Sequence, residues 1–177
     1  MKFTTTLTII ILVWASNLYA QKKPKPVAGI QAVIQAYSES VLERDSLRFY
    51  QLFNDGPIVW CAALKAYSQE QESKKTKSGA AARKTYFSGS YKDFMRSLYR
   101  YKYTEDKFDR IHIFEDGTVA NVTMDYSFWA DGRMINWGRK LLQLIKRDGF
   151  WKITSVIYSI ELTDHLPQPS FLDRQPK

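Results

Sequence analysis

Three Asp-Gly steps divide the last third of the chain: Asp116-Gly117, Asp131-Gly132 and Asp148-Gly149. Each lies between runs in which apolar and polar residues alternate. Such pairs tolerate the positive φ angles of tight hairpins, so they predict a β-meander. Four antiparallel strands are expected, over 108–114, 118–129, 134–146 and 150–162. Each strand would carry an apolar face that must be covered.

The cover comes from upstream. Ile30, Val33, Ile34, Tyr37 and Val41 recur with the spacing of a buried helical stripe. Asp45 or Ser46 then reads as the N-cap of a short helix carrying Leu47, Tyr50 and Phe53. Asn54-Asp55-Gly56-Pro57 is a turn, and Ile58-Val59-Trp60 a short strand. Ser90, with Asp93 three residues on, reads as the cap of a helix bearing Tyr91, Phe94, Met95 and Leu98. Helices first and strands later give an α+β fold, the helices packed on the concave face of one curved antiparallel sheet.

Residues 68–90 are rich in Ser, Lys, Gln, Gly and Ala and read as a long basic loop, with a frayed helix within it as the alternative. Residues 28–162 form the expected single domain. Residues 163–177, with three prolines, read as a C-terminal extension.

The start of the chain has the order of a secretory signal peptide. Lys2 precedes the apolar stretch Leu7–Ala15, and Ala20 supplies a small residue before Gln21. Residues 1–20 are expected to be removed on export to the periplasm or medium, with 21–27 a flexible lead-in. The apolar stretch falls short of the roughly 20 residues that span a bilayer, and no other segment reaches that length. Cys61 is the single cysteine, so no intramolecular disulfide can form. Its neighbours Val59, Trp60, Ala62, Ala63 and Leu64 predict burial.

The 177-residue chain has a formal charge of +8, and the excess is local. Residues 61–103 hold ten Lys or Arg against three Asp or Glu. Lys92, Arg96 and Arg100 recur every four residues as a basic stripe. A charge of this kind attracts an anionic ligand, and its pull weakens with salt. Nucleic acid is an unlikely partner for an exported chain without clean base-stacking motifs.

No nucleotide loop, catalytic triad or metal motif is present, and only His112 and His165 are histidines. No cofactor is expected. Alternation in the second meander strand puts Ala120, Val122, Met124, Tyr126 and Phe128 on one apolar face, toward the helices. Asp125 falls on the other face, as does His112 relative to Ile111 and Ile113. These two and Tyr126 are the weak catalytic candidates. Glu105 and Asp109 read as a solvated turn. Phe53, Phe94 and Trp151 are expected in the core. Trp60, Tyr126 and Trp137 are the expected pocket aromatics. In the last strand, strict alternation puts Ser159 with Trp151 and Ile153, near the pocket mouth. It also puts Val156, Tyr158 and Ile160 outside, as an apolar strip for a homodimer.

Two stretches carry a resemblance. One is Arg44-Asp45 opening the short helix, Asp55-Gly56 and a strand containing Trp60. The other is Lys146-Arg147-Asp148-Gly149-Phe150-Trp151-Lys152-Ile153, followed by Val156-Ile157-Tyr158-Ser159. Together they resemble the nuclear transport factor 2-like superfamily, in its SnoaL-like branch, over residues 28–162. The resemblance implies a cone-shaped, cystatin-like fold holding a pocket, and often a homodimer through the outer sheet face. It leaves the function open among ligand carriage, protein contact and dehydratase or isomerase chemistry. The residues favour binding of a small or anionic ligand without catalysis, because no acid–base pair is evident.

Overall fold

The computed structural model describes residues 29–81 and 83–170. The expected signal segment 1–20, the expected lead-in 21–27 and the last seven residues lie outside the described residues.

The apolar stripe forms α1 (Ile30–Glu43) and is buried along its length. Arg44, at φ 56°, ends the helix, and the Asp45 carboxylate accepts from Arg48 N–H to cap α2 (Ser46–Tyr50). After β1 (Val59–Leu64), α3 (Ala66–Lys77) and β2 (Tyr86–Ser88), Ser90 caps α4 (Tyr91–Leu98). The meander follows as β3 (Thr104–Glu115), β4 (Val119–Ala130), β5 (Arg133–Arg147) and β6 (Phe150–Leu162).

Asp131 and Gly132 have φ of 50° and 79°, and Asp148 and Gly149 have 52° and 83°. Positive φ at both central residues is what a two-residue hairpin of matching twist requires. Ala130 therefore pairs with Arg133 and Arg147 with Phe150. The sheet is curved and unclosed, with strand order β2-β1-β6-β5-β4-β3. Helices α1, α2 and α4 pack on its inner face, over a core that includes Val33, Tyr37, Phe49, Met95, Val122 and Leu142.

Three features differ from the sequence expectation. The sheet is mixed, because β1 joins β6 in parallel register. The antiparallel pattern holds within the meander and for β1 with β2. Residues 68–90 are not simply a loop, since α3 begins at Ala66 and runs into that region and β2 lies within it. Helix α3 has no apolar stripe to betray it. Its buried side chains are Ser68 and Glu72, and polar bonds dock it. Ser68 Oγ bonds the buried carboxylate of Glu161 and accepts from Leu162 N–H. Glu72 accepts from Lys75 Nζ and Arg83 N–H, and its other contact is His165 Nε2 at 2.7 Å.

The third difference concerns strand faces. The register slips between Gln143 and Leu144, so Thr154 is an extra residue on β6. Trp151 and Ile153 face in before the bulge, and Val156 and Ile160 face in after it. Tyr158 packs beside them. The expected apolar strip on the outer face is therefore interior surface, and Ser155, Ile157, Ser159 and Glu161 point outward. A second bulge between Asp109 and His112 shifts β3, with Arg110 at φ 48°. Cys61 is half-buried, on the β1 side opposite buried Trp60 and Ala62.

Glu72 generates a test. The bonds from Lys75, Arg83 and His165 hold its pKa at about 2, against 4.5 unperturbed. A depressed carboxylate pKa contributes stability above the unfolded value and loses it as pH falls through the folded one. Thermal melts between pH 5 and pH 2 are expected to drop more steeply for the wild type than for Glu72→Gln. The variant should already be less stable at pH 7. Parallel acid limbs would show that Glu72 does not pin α3.

Candidate functional site

The inner face of the sheet carries a charged pair where apolar residues would be expected. Asp106 on β3 and Lys140 on β5 are 1% and 3% exposed. Their side chains form an ion pair beneath the helices. Lys140 Nζ also donates to the Tyr37 hydroxyl at 3.4 Å. Four rings surround it: Tyr126 at 4.6 Å, Tyr37 at 4.9 Å, Phe108 at 5.1 Å and Tyr158 at 5.5 Å from the ring centres. Ring faces attract a cation and offset part of its lost hydration.

Burial pushes the Asp106 carboxyl up and the Lys140 ammonium down, each opposed by attraction to the other. Burial also lifts Tyr37 and Tyr126 well above the usual phenol value, and Tyr158 to about 12. All three phenols therefore keep their protons at neutral pH. The Tyr126 hydroxyl lies 3.0 Å from both Asn136 Oδ1 and the Ser159 carbonyl. To reach β6 it passes Gly138, its partner on β5. A Cβ at Gly138 would sit 2.1 Å from the Ser159 carbonyl oxygen, so the position demands glycine.

A cavity of about 160 Å³ opens above this floor, between α4 and the sheet. Trp60, Phe94, Phe128 and Tyr158 form its apolar walls, and exposed Arg100 stands at its rim. Asp106 lines it, and its Oδ1 is buried with no hydrogen-bond partner among the described residues. A buried carboxylate oxygen left in this way costs free energy unless water or a ligand supplies a donor.

The structure divides the sequence candidates between two faces. Trp60 and Tyr126 line the inner cavity. Trp137 and Ser159, expected there, lie on the outer face with His112 and Asp125. For Ser159 the cause is the β6 bulge. For Trp137 it is the register with outward Ser127 and Glu161, and its indole N–H bonds the Leu166 carbonyl. Phe53 and Trp151 are buried core, whereas Phe94 is a cavity wall. His112 and Asp125 are not within the cavity, so chemistry there does not pass through them. Of the basic stripe, Lys92 and Arg96 are exposed on α4 and Arg96 pairs with Asp93; Arg100 alone reaches the cavity.

Asp106 and Lys140 escaped the sequence reading, although each carried a signal. Lys140 is in step with Leu142 and Leu144 on one strand face. Asp106 is in step with Phe108. A charge in an otherwise inward row is a candidate buried group. Among the described residues, no group of three His, Cys, Asp or Glu could hold a metal ion. No helix among them is long and apolar enough to cross a membrane.

Neither the scan of family models nor the search of curated proteins gives a match. Solved structures do resemble the chain. A protein of unknown function from Mycobacterium tuberculosis is 15% identical, with 82% of each chain covered and a TM-score of 0.54. LinA is 13% identical, over 76% of this chain and 84% of its own, at 0.53. A candidate dehydratase of the nuclear transport factor 2-like family, from Streptomyces avermitilis, is 14% identical, over 75% and 94%, at 0.51. The chain has the nuclear transport factor 2-like, cystatin-like fold. At these identities the likeness is one of fold alone.

The buried pair makes a sharp stability prediction. Lys140→Met should cost about 3–5 kcal/mol, because it strands Asp106 without a counter-charge. Asp106→Leu combined with Lys140→Met should recover most of that loss. Denaturant unfolding of the three chains checks it, and a single substitution costing under about 1 kcal/mol would contradict the buried pairing.

Proposed function

We propose that this is an exported binding protein whose inner cavity holds one small anionic molecule without transforming it. The observation that carries the reading is Asp106, which lines a cavity with Arg100 at its rim and whose buried Oδ1 has no hydrogen-bond partner among the described residues. The ligand that fits has a hydrogen-bond donor, such as a hydroxyl, at one end and an acidic group at the other. The cavity is near the size that accommodates a single benzene-like ring, about 150 Å³. Short-chain or one-ring hydroxy acids match it in size and polarity.

Several features support binding over catalysis. Neither His112 nor His165 lines the cavity, and one oxygen of its carboxylate, Asp106 Oδ2, is held by Lys140. Tyr126 and Tyr158 hold their protons too firmly to serve as bases near pH 7. A dehydratase- or isomerase-type reading would place proton transfer on Asp106, whose upward shift is its one supporting observation. Homodimerisation through the outer sheet face loses Val156 and Ile160 as its apolar strip, because both face inward. Export rests on Lys2, the Leu7–Ala15 stretch and Ala20.

Native mass spectrometry of the protein from its own host tests both claims. The expected species begins at Gln21 and retains one small molecule. Arg100→Gln should retain that molecule at least tenfold less. A chain that carries nothing, and binds no small hydroxy acid when titrated, contradicts the binding reading. Turnover of a bound acid would favour the enzyme reading instead. Retention of Met1–Ala20 contradicts cleavage.

A further inference from the structure

We infer a second binding site on the opposite face of the sheet, for an aromatic oxyanion such as an aryl phosphate. A groove of about 580 Å³ crosses the outer face of β3, β4, β5 and β6. That volume is in the range of ordinary organic-ligand pockets and more than three times that of the inner cavity. Its lining includes Lys65, Arg110, His112, Asp125, Trp137 and Arg139.

The charge in the groove is organised by one buried carboxylate. Asp125 is 6% exposed and stands opposite Arg139 in the β4–β5 register. Arg139 Nε lies 3.4 Å from Asp125 Oδ1, and Arg110 forms an ion pair with Oδ2. Arg110 reaches it from the β3 bulge, where the ladder slips between Asp109 and His112. One carboxylate thus fixes two guanidinium groups, whose planar donor forks suit phosphate or carboxylate oxygens. Lys65 adds a third positive charge at the β1 side, 3.9 Å from the Glu161 carboxylate, and Asp109 lies 3.8 Å from Arg110, so the cationic group most open to an anion is Arg139. Arg139 keeps 64% of its side chain exposed, which leaves it accessible to an incoming anion.

The other half of the site is apolar. Trp137 is 8% exposed, its indole N–H is tied to the Leu166 carbonyl, and Lys65 Nζ sits 4.2 Å from its ring centre. A flat ring entering the groove meets the small part of a fixed indole that Lys65 and its other neighbours leave uncovered, with cationic groups beside it. The similarly large recess around Phe114, Val119 and Ile145 shows the contrast. Its charged lining residues are Glu115 and Asp116, so it repels the same ligand. This inference does not rest on the inner cavity. Arg100 and Tyr126 belong to that cavity and not to the groove.

Calorimetric titration of the mature protein with phenyl phosphate tests it, with inorganic phosphate and phenol as half-ligands. Phenyl phosphate is expected to bind more tightly than either half, and to weaken as salt rises. Arg139→Gln should weaken it at least tenfold, and the ring should perturb the Trp137 indole N–H resonance. Arg100→Gln should leave this binding unchanged while impairing the inner cavity. Three results would overturn the site: no binding at millimolar ligand, equal affinity for Arg139→Gln, or a dimer that covers Trp137.

Discussion

A β-strand has two faces, and a single extra residue exchanges them. In this sheet the bulges at Arg110 on β3 and Thr154 on β6 decide which side chains meet the helices. Before the β3 bulge, Asp106 and Phe108 face the core; after it, Ile113 does, and His112 faces out. On β6, Ile153 hands the inner face to Val156 without breaking the apolar surface. The inner cavity and the outer groove both follow from these slips. Without them Ser159 would face the helices and Tyr158 the solvent.

The inner face then presents a charged pair to the core. Isolated, either Asp106 or Lys140 would be too costly to bury. Together, with the Tyr37 hydroxyl and four ring faces around the ammonium, they are held in a site closed to bulk water. Such pairs seldom outperform an apolar replacement in stability. A polar floor inside an aromatic cavity is therefore not explained by stability alone. Asp106 Oδ1 has no hydrogen-bond partner among the described residues, so the pair is not fully satisfied by them.

Helix α3 shows a different economy. It has no apolar stripe and is fixed by Ser68 and Glu72 against Glu161, Leu162 and His165. Polar docking of this kind stabilises only while each partner keeps its protonation state. The basic residues of α3, Lys74, Lys75 and Lys77, lie in its last turn, where they also favour the helix end.

The chain alone determined the elements whose causes are local. The hairpins at Asp131-Gly132 and Asp148-Gly149, the caps at Asp45 and Ser90 and the stripe of α1 each need only neighbouring residues. So did the α+β order, and Tyr126 on the inner face of a strand whose alternation is unbroken around it. The tertiary structure decided the rest. Bulge positions depend on how the strands fit the helices, so Ser159 changed sides, and β5 pairing placed Trp137 outside. Asp106 and Lys140 stand 34 residues apart, on strands separated by β4, and only the register of both ladders brings them together. Helix α3 was legible only as the frayed-helix alternative to a loop, because its anchors are polar contacts with residues about 90 positions away. Local chemistry writes turns, caps and stripes into the sequence. Which charges share a cavity is set by long-range packing.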